Sequence, residues 1–385
     1  MKRVSRVLPI LSIVPVLSIV LGWGTSAHAS PADLSDADRL RPQWRQLDLD
    51  GDGKVALTEI PEAGRSVYAR NDLDGNGELS LEEFVDFNND PGGSGRTPLP
   101  ENVRVIADLP YAGTDDPRQQ LDVYLPERAS VDGPLPVIAY LHGGAWSLGS
   151  RSMARPQVSP HVASGRYAAV AIGYRLSWQD AWPAQIHDVK AGIRWIRAHA
   201  EDYGFDASRI CVMGSSAGGH LAAEVGTTNG VRAVEGTLGS HVEESSDVQC
   251  AIDFFGPTNL TSFEHRQTAV TSQALVALLG GKPEEHPARA REASPLYNVD
   301  PDDPPFLIVH GSRDSIVPYA ASVDLDAALR EAGVSVVFQT IEGGGHGDFF
   351  SPEIVRRVRA FLERNFYDAT VEVPHAPIAF AGAGS

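Results

Sequence analysis

The sequence predicts an α/β chain, a doubly wound and mostly parallel sheet with helices on both faces, preceded by a small all-α module. Three observations carry this. From about residue 103 short apolar runs alternate with stretches of helical period, and repeated βα units of that kind build a parallel sheet. Those runs are continuously apolar, LPVIAYL at 135–141 and YAAVAIGY at 167–174, as strands covered on both faces require. Upstream, two Asp/Gly-rich loops of one pattern lie close together and are set off by a Pro/Gly/Ser cluster at 90–98.

The elements follow in order. Lys2, Arg3 and Arg6 precede an apolar run at 7–21, and Ala27-His28-Ala29 supplies an A-x-A cleavage site. This predicts a signal peptide over 1–29 and a secreted or periplasmic mature chain. The run is shorter than the ~20 residues of a spanning helix, so no membrane insertion is expected after cleavage. The loop module takes 36–90, a linker 91–102. Strands are expected at 103–111 and 119–125, as an edge hairpin, then at 135–141 and 167–174. A helix follows at 184–200, where Ile186, Val189, Ile193 and Ile196 recur at spacings of three and four. A strand at 209–213 leads to a helix at 217–225. Strands at 248–255, 305–309 and 334–339 and helices at 319–332 and 352–366 complete the domain at 103–366. Residues 260–299 interrupt this rhythm with short helical pieces, as a lid or substrate-binding insertion would. The small, apolar 367–385 has no period and stays unassigned.

The first loop runs from Asp48 through Asp50, Asp52, Gly53, Lys54 and Val55 to Glu59. The second runs from Asp72 through Asp74, Asn76, Gly77, Glu78 and Leu79 to Glu83. Positions 1, 3 and 5 aim side-chain oxygens inward, a glycine at 6 allows the sharp turn, and 7 gives only its backbone carbonyl. The glutamate at 12 closes the shell with two oxygens. Lys54 and Glu78, at position 7, therefore count as carbonyl donors. Val55 and Leu79 at position 8 are placed to pair the loops side by side. Both loops resemble EF-hands, and their 24-residue period (72 − 48) resembles compact bacterial EF-hand modules and, more weakly, dockerins, which usually end on Asp where this chain has Glu. The resemblance implies structural calcium and a docking surface for another protein.

Gly214-Ser215-Ser216-Ala217-Gly218 stands between a predicted strand and helix. This G-x-S-x-G spacing projects a serine from a tight turn, with the N–H of Ala217 aimed at a developing oxyanion. Leu141-His142-Gly143-Gly144-Ala145-Trp146 follows the third strand. There the N–H groups of Gly143 and Gly144 are bare enough to supply a second oxyanion donor. An acid and a base must follow the serine. Asp314 lies just past an apolar strand, 98 residues on, and His346 lies in Gly343-Gly344-Gly345-His346-Gly347, 32 further on. Asp253 is expected inside a strand and Asp348 beside His346, where it cannot easily orient the ring. His220 and His310 are expected to pack or cap.

On these motifs residues 103–366 resemble the α/β-hydrolase superfamily, and HGGAW, GSSAGGH, HGSRDSIVP and GGGHG resemble the bacterial carboxylesterases grouped with acetyl and feruloyl esterases. The resemblance implies Ser216 as nucleophile, His346 as general base, Asp314 as its orienting acid, and Gly143, Gly144 and Ala217 as oxyanion positions. It implies a serine ester hydrolase for short-chain acyl or carbohydrate esters, with no cofactor in the chemistry. Two other readings stay open: a peptidase of the prolyl-oligopeptidase type, which would normally carry a propeller domain, and a non-catalytic calcium-dependent binding protein.

Composition bounds the partners. Apolar residues are 42% and charged residues 21% of the 385, which is globular. The formal charge is −18, and loss of the three basic residues of the signal leaves 29 − 50 = −21. With no basic cluster, nucleic acid is excluded as a partner by bulk electrostatics. Two cysteines, Cys211 and Cys250, are too few for a disulfide scaffold. Lying on neighbouring predicted strands, they stand within reach of a bridge, the alternative being two buried thiols.

Overall fold

The computed structural model describes residues 98–261, 269–347 and 351–379, with 44, 48, 50–56, 58–59, 76–81 and 83–84 of the N-terminal region. The signal segment lies outside the described residues. Strands β1 (Val55–Ala56) and β2 (Glu78–Leu79) form a two-stranded ladder. The main sheet holds β3 (Val103–Pro110), β4 (Gln120–Pro126), β5 (Leu135–Leu141), β6 (Ala168–Ile172), β7 (Phe205–Ser215), β8 (Cys250–Phe254), β9 (Phe306–Gly311), β10 (Val336–Glu342) and β11 (Ile378–Ala379). Its order is β11-β10-β9-β8-β7-β5-β6-β4-β3. The β3–β4 hairpin is antiparallel at the edge and β4 runs against β6, while every other pairing is parallel.

Among the described residues, helices of eight residues or more are α1 (Ala154–Val162), α2 (Ala184–Ala198), α3 (Ala217–Gly226), α4 (Ala269–Leu279), α5 (Tyr319–Glu331) and α6 (Pro352–Phe366). Two cores form because strand side chains alternate faces. Val137, Ala139 and Leu141 of β5 pack into one core with Ile186 and Val189 of α2. Ile138 and Tyr140 pack into the other with Val358 and Phe361 of α6. Helix α6 starts where Ser351 Oγ accepts from the N–H of Ile354 at 3.3 Å and Pro352 takes the first turn, both ordinary start signals.

The chain leaves β5 toward one edge and returns through α2 to β7 on its other side, then proceeds to the opposite edge. In open α/β sheets the crevice beyond the strand ends at such a switch point is where ligands bind. Here those ends are His142–Gly144 after β5 and Ser216 after β7.

Three features were not legible locally. Helix α1 contains Pro160, which argues against a helix interior; buried Val158 and Val162 hold it on the sheet. The segment after 366 is not separate from the sheet, because Ile378 and Ala379 pair in parallel with Ile341 and Glu342. Cys211 and Cys250 are direct register partners with Cα atoms 4.6 Å apart, joined as a disulfide.

Candidate active site

Ser216 stands between β7 and α3 with φ 54° and ψ −118°. Such a backbone costs on the order of 1–3 kcal/mol in a non-glycine residue. Two backbone hydrogen bonds hold it: Ser216 donates to Phe254 O at 2.8 Å and accepts from His220 N at 2.9 Å. The turn needs glycine at 218 in particular. A Cβ there would lie 2.1 Å from Leu141 O and 2.5 Å from His142 O, so a side chain would push α3 off the end of β5.

Gly143 adjoins the serine, since a Cβ on it would sit 3.5 Å from Ser216 Cβ and 2.9 Å from Ser215 O. Gly144 has φ 116°, and its carbonyl accepts from the N–H groups of Ser147 and Leu148. A turn is thereby closed that presents this backbone beside Ser216. Ala217, at the first position of α3, is buried. His142 supports the turn from beneath. Its ring stacks on Tyr174 at 4.2 Å and its Nδ1 donates to Gly143 O at 2.7 Å. Burial pushes it down to about 3, so it stays uncharged.

His346, on the loop after β10, places Nε2 3.0 Å from Ser216 Oγ and Nδ1 2.7 Å from Asp314 Oδ2. The loops carrying acid and histidine are bonded to each other. Ser312 N donates to Ile341 O, and Arg313 N to Gly344 O at 2.9 Å. The edge of the Phe255 ring meets the His346 ring at 4.7 Å. Burial would raise the Asp314 carboxyl, but hydrogen bonds from His310 and His346 outweigh it and hold it well below the usual carboxylate range.

Asp253, the competing acid, sits in β8 and accepts from Gly256 N at 2.8 Å; burial pushes it up to about 6. Asp348 lies outside the described residues. His220 is buried and packs between the rings of Trp146 and Trp182, as expected, and its two nitrogens also make bonds. Trp146 Nε1 donates to its Nδ1 at 3.1 Å, and its Nε2 donates to Ala293 O at 2.8 Å. It thus ties the loop after β5, the serine helix and the 260–299 insertion together. His310 was also expected only to pack or cap, yet it reaches Asp314 Oδ2 at 3.1 Å. The HG-x-x-D spacing, which puts the histidine at the end of the strand beneath the acid, is the signal that could have found it.

In the N-terminal region one oxygen each from Asp48, Asp50 and Asp52 lie within 4.8 Å of one another. Asp48 and Asp50 also accept backbone N–H groups of the loop, from Gly51 and Gly53 and from Asp52, and an all-oxygen set suits a hard cation; the donors of the first loop fit calcium. Glu59 accepts from Ala56 N at 2.7 Å and from Asp50 N at 3.2 Å, inside its own loop. Lys54 and Glu78, whose side chains pointed nowhere in the sequence reading, form an ion pair between the loops. Val55 and Leu79 are register partners. Asn76 Oδ1 accepts from Glu78 N, and Glu83 from Ser80. Asp72 and Asp74 lie outside the described residues. The small core of Trp44, Val55, Leu79 and Phe84 also touches Leu148, four residues past Gly144.

The sheet order, the serine at its switch point and the loops that meet there are those of an α/β-hydrolase. Residues 121–329 match the family model BD-FAE, more than half of the 385 residues, and the chain belongs to that family. It is 34% identical over 240 residues to "Esterase LipC" of Mycobacterium tuberculosis, covering 60% of this chain and 58% of that one. To the "Probable carboxylic ester hydrolase LipM" of the same organism it is 32% identical over 236 residues, 59% and 54% of the two chains. The chain thus spans little more than half the length of these curated relatives. Among solved structures, a truncated carbohydrate esterase from gut microbiota superposes with a TM-score of 0.63 at 33% identity, over 68% of this chain and 96% of that one. A butyrate-bound esterase of Thermogutta terrifontis gives 0.55 at 26% identity, over 68% and 94%. Among the described residues no helix is long and apolar enough to cross a membrane.

Proposed function

We propose that the protein is a serine carboxylic-ester hydrolase acting through Ser216, His346 and Asp314 on short-chain acyl or carbohydrate esters. The observation that carries this reading is the continuous line from Ser216 Oγ to His346 Nε2 at 3.0 Å and from His346 Nδ1 to Asp314 Oδ2 at 2.7 Å. His346 takes the Ser216 proton as Oγ adds to the ester carbonyl. The N–H groups of Ala217 and of Gly143 or Gly144 receive the oxyanion, each contributing roughly 3–4 kcal/mol. The imidazolium then protonates the departing alcohol. Water, deprotonated by the same ring, attacks the acyl-enzyme, and the carboxylic acid leaves as Ser216 regains its proton. Esterase names among the relatives support the reaction class. The carbohydrate esterase and the butyrate-bound esterase among the solved structures support the substrate classes.

The paired loops of the N-terminal region are read as an EF-hand pair. The oxygens of Asp48, Asp50, Asp52 and Glu59 with the Lys54 carbonyl, and those of Asp72, Asp74, Asn76 and Glu83 with the Glu78 carbonyl, would hold calcium. Bound there, the ion neutralises clustered carboxylates and takes no part in acyl transfer. The pair is also read as a docking surface for another protein, and the basic, apolar N-terminus as an export signal. The disulfide between Cys211 and Cys250 accords with an oxidising compartment.

Ser216→Ala tests the reaction. Turnover of a short nitrophenyl ester should vanish while the melting temperature holds. Retention of more than a tenth of the wild-type rate would overturn the assignment.

A further inference from the structure

We propose that His310 is a positioning residue for this reaction: it clamps Asp314 at the same carboxylate oxygen that His346 uses and sets the basicity of the pair. The inference rests on the serine-hydrolase reading above. His310 is the penultimate residue of β9 and has no exposed surface. Its Nε2 faces Asp314 Oδ2 at 3.1 Å and Val317 O at 3.1 Å, while its Nδ1 lies 2.7 Å from Ser322 Oγ of α5. A carboxylate and a carbonyl only accept, so Nε2 must carry the hydrogen and donate it. With Nδ1 bare, the Ser322 hydroxyl donates to it, and the docking of α5 thereby selects the tautomer.

Asp314 consequently receives four donors. Ile316 N and Val317 N reach Oδ1 at 2.8 and 2.9 Å, and His310 and His346 share Oδ2. The oxygen that orients the base is the one His310 holds. Two effects follow. The carboxylate cannot rotate away from His346 when that ring swings between serine and leaving group. The second N–H also draws charge from Oδ2, so the carboxylate stabilises the His346 imidazolium less than it would alone.

Among the described residues, two other ionisable groups lie near this cluster. Asp253 lies on β8, and Tyr319 of α5 presents its ring to His310 at 5.7 Å. Arg313, beside Asp314, is exposed.

The test compares His310→Phe, which keeps a ring but loses the donor, with His310→Gln, whose amide N–H can reach the same oxygen. The readout is the pH dependence of kcat/KM on a short nitrophenyl ester, corrected for active enzyme by titration with a fluorophosphonate. The acid limb of His310→Phe should move to higher pH by about half to one unit, the share of one charge-assisted hydrogen bond felt at the neighbouring ring. Its kcat should fall about tenfold, and His310→Gln should restore the wild-type limb. Asp253→Asn in both backgrounds should leave the displacement in place. Ser322→Ala, which frees Nδ1 without touching Asp314, should give a smaller shift in the same direction and covers the case in which His310→Phe fails to fold. An unmoved acid limb in folded His310→Phe or Ser322→Ala, or equal losses in Phe and Gln with no shift, overturns the proposal. Ser216→Ala is run alongside. If it stays active, the reaction reading has failed; if it is dead and the limb is unmoved, only the role of His310 has.

Discussion

Replacing Asp314 by asparagine changes one atom of a group whose surroundings are almost fully specified. Oδ1 accepts two backbone N–H groups, from Ile316 and Val317, at 2.8 and 2.9 Å. An asparagine must keep its single oxygen there, which turns its NH₂ toward the Oδ2 position. That position faces two donors, His310 Nε2–H and His346 Nδ1–H. His310 has a second acceptor in Val317 O and can stay as it is. His346 must yield by moving its proton from Nδ1 to Nε2, and then an N–H faces Ser216 Oγ where a lone pair is needed. Restoring the working tautomer buries two opposed donors, at about 1–3 kcal/mol, and the transition-state imidazolium loses a charge-assisted bond of about 1.5–3 kcal/mol. Together these come to about 3–6 kcal/mol, or roughly 10²–10⁴-fold in kcat/KM. The loss should be smaller than for Ser216→Ala, because serine and oxyanion donors remain. The assay is steady-state hydrolysis of a short nitrophenyl ester, with circular dichroism to show an unchanged fold. Retention of more than a fifth of kcat/KM would refute the reasoning, and with it the choice of Asp314 over other acids.

Three further outcomes are expected. The Asp253 carboxyl is raised by burial to about 6, so its protonated form is the one the fold favours. Its contribution to stability is complete below about pH 4, the ordinary carboxylate range, and is lost as pH rises through 6. Asp253→Asn should therefore gain melting temperature relative to wild type as pH is raised from acid to neutral, and a difference that does not change with pH would contradict this. If the loops hold calcium as proposed, a chelator should increase proteolysis within residues 36–90 while leaving turnover of a small soluble ester within about twofold, since the proposed acyl transfer routes no step through a metal; abolition of that turnover would place the module in the active site. Thiol titration of the unfolded, unreduced protein should find no free thiol, because Cys211 and Cys250 are bridged; two free thiols would exclude the bridge.

Much of the candidate site was legible because its chemistry imposes local patterns. A serine on a tight strand-to-helix turn needs small neighbours within two residues, and the GSSAG string shows it. Continuous apolar runs such as LPVIAYL declare doubly covered strands, and the loops after them carry Gly143, Asp314 and His346 in an order that a parallel sheet can gather at one end. These are short-range facts, set by backbone sterics and burial of neighbouring side chains. Tertiary structure alone decided which groups touch. That His346 meets Asp314 and not Asp253 depends on the loops after β9 and β10 bonding to each other. The hydrogen bond of His310 to the same carboxylate depends on where α5 docks Ser322. Bridging of the cysteines depends on the register of β7 against β8, in which one residue of slip would turn one sulfur to the other face. Helix α1 survives Pro160 only through burial against the sheet, and β11 exists only because the edge of β10 is free to receive it. A hydrogen bond forms or fails within a few tenths of an ångström, a scale on which segments 30 to 130 residues apart are positioned by the packing of the whole sheet and not by their own sequence.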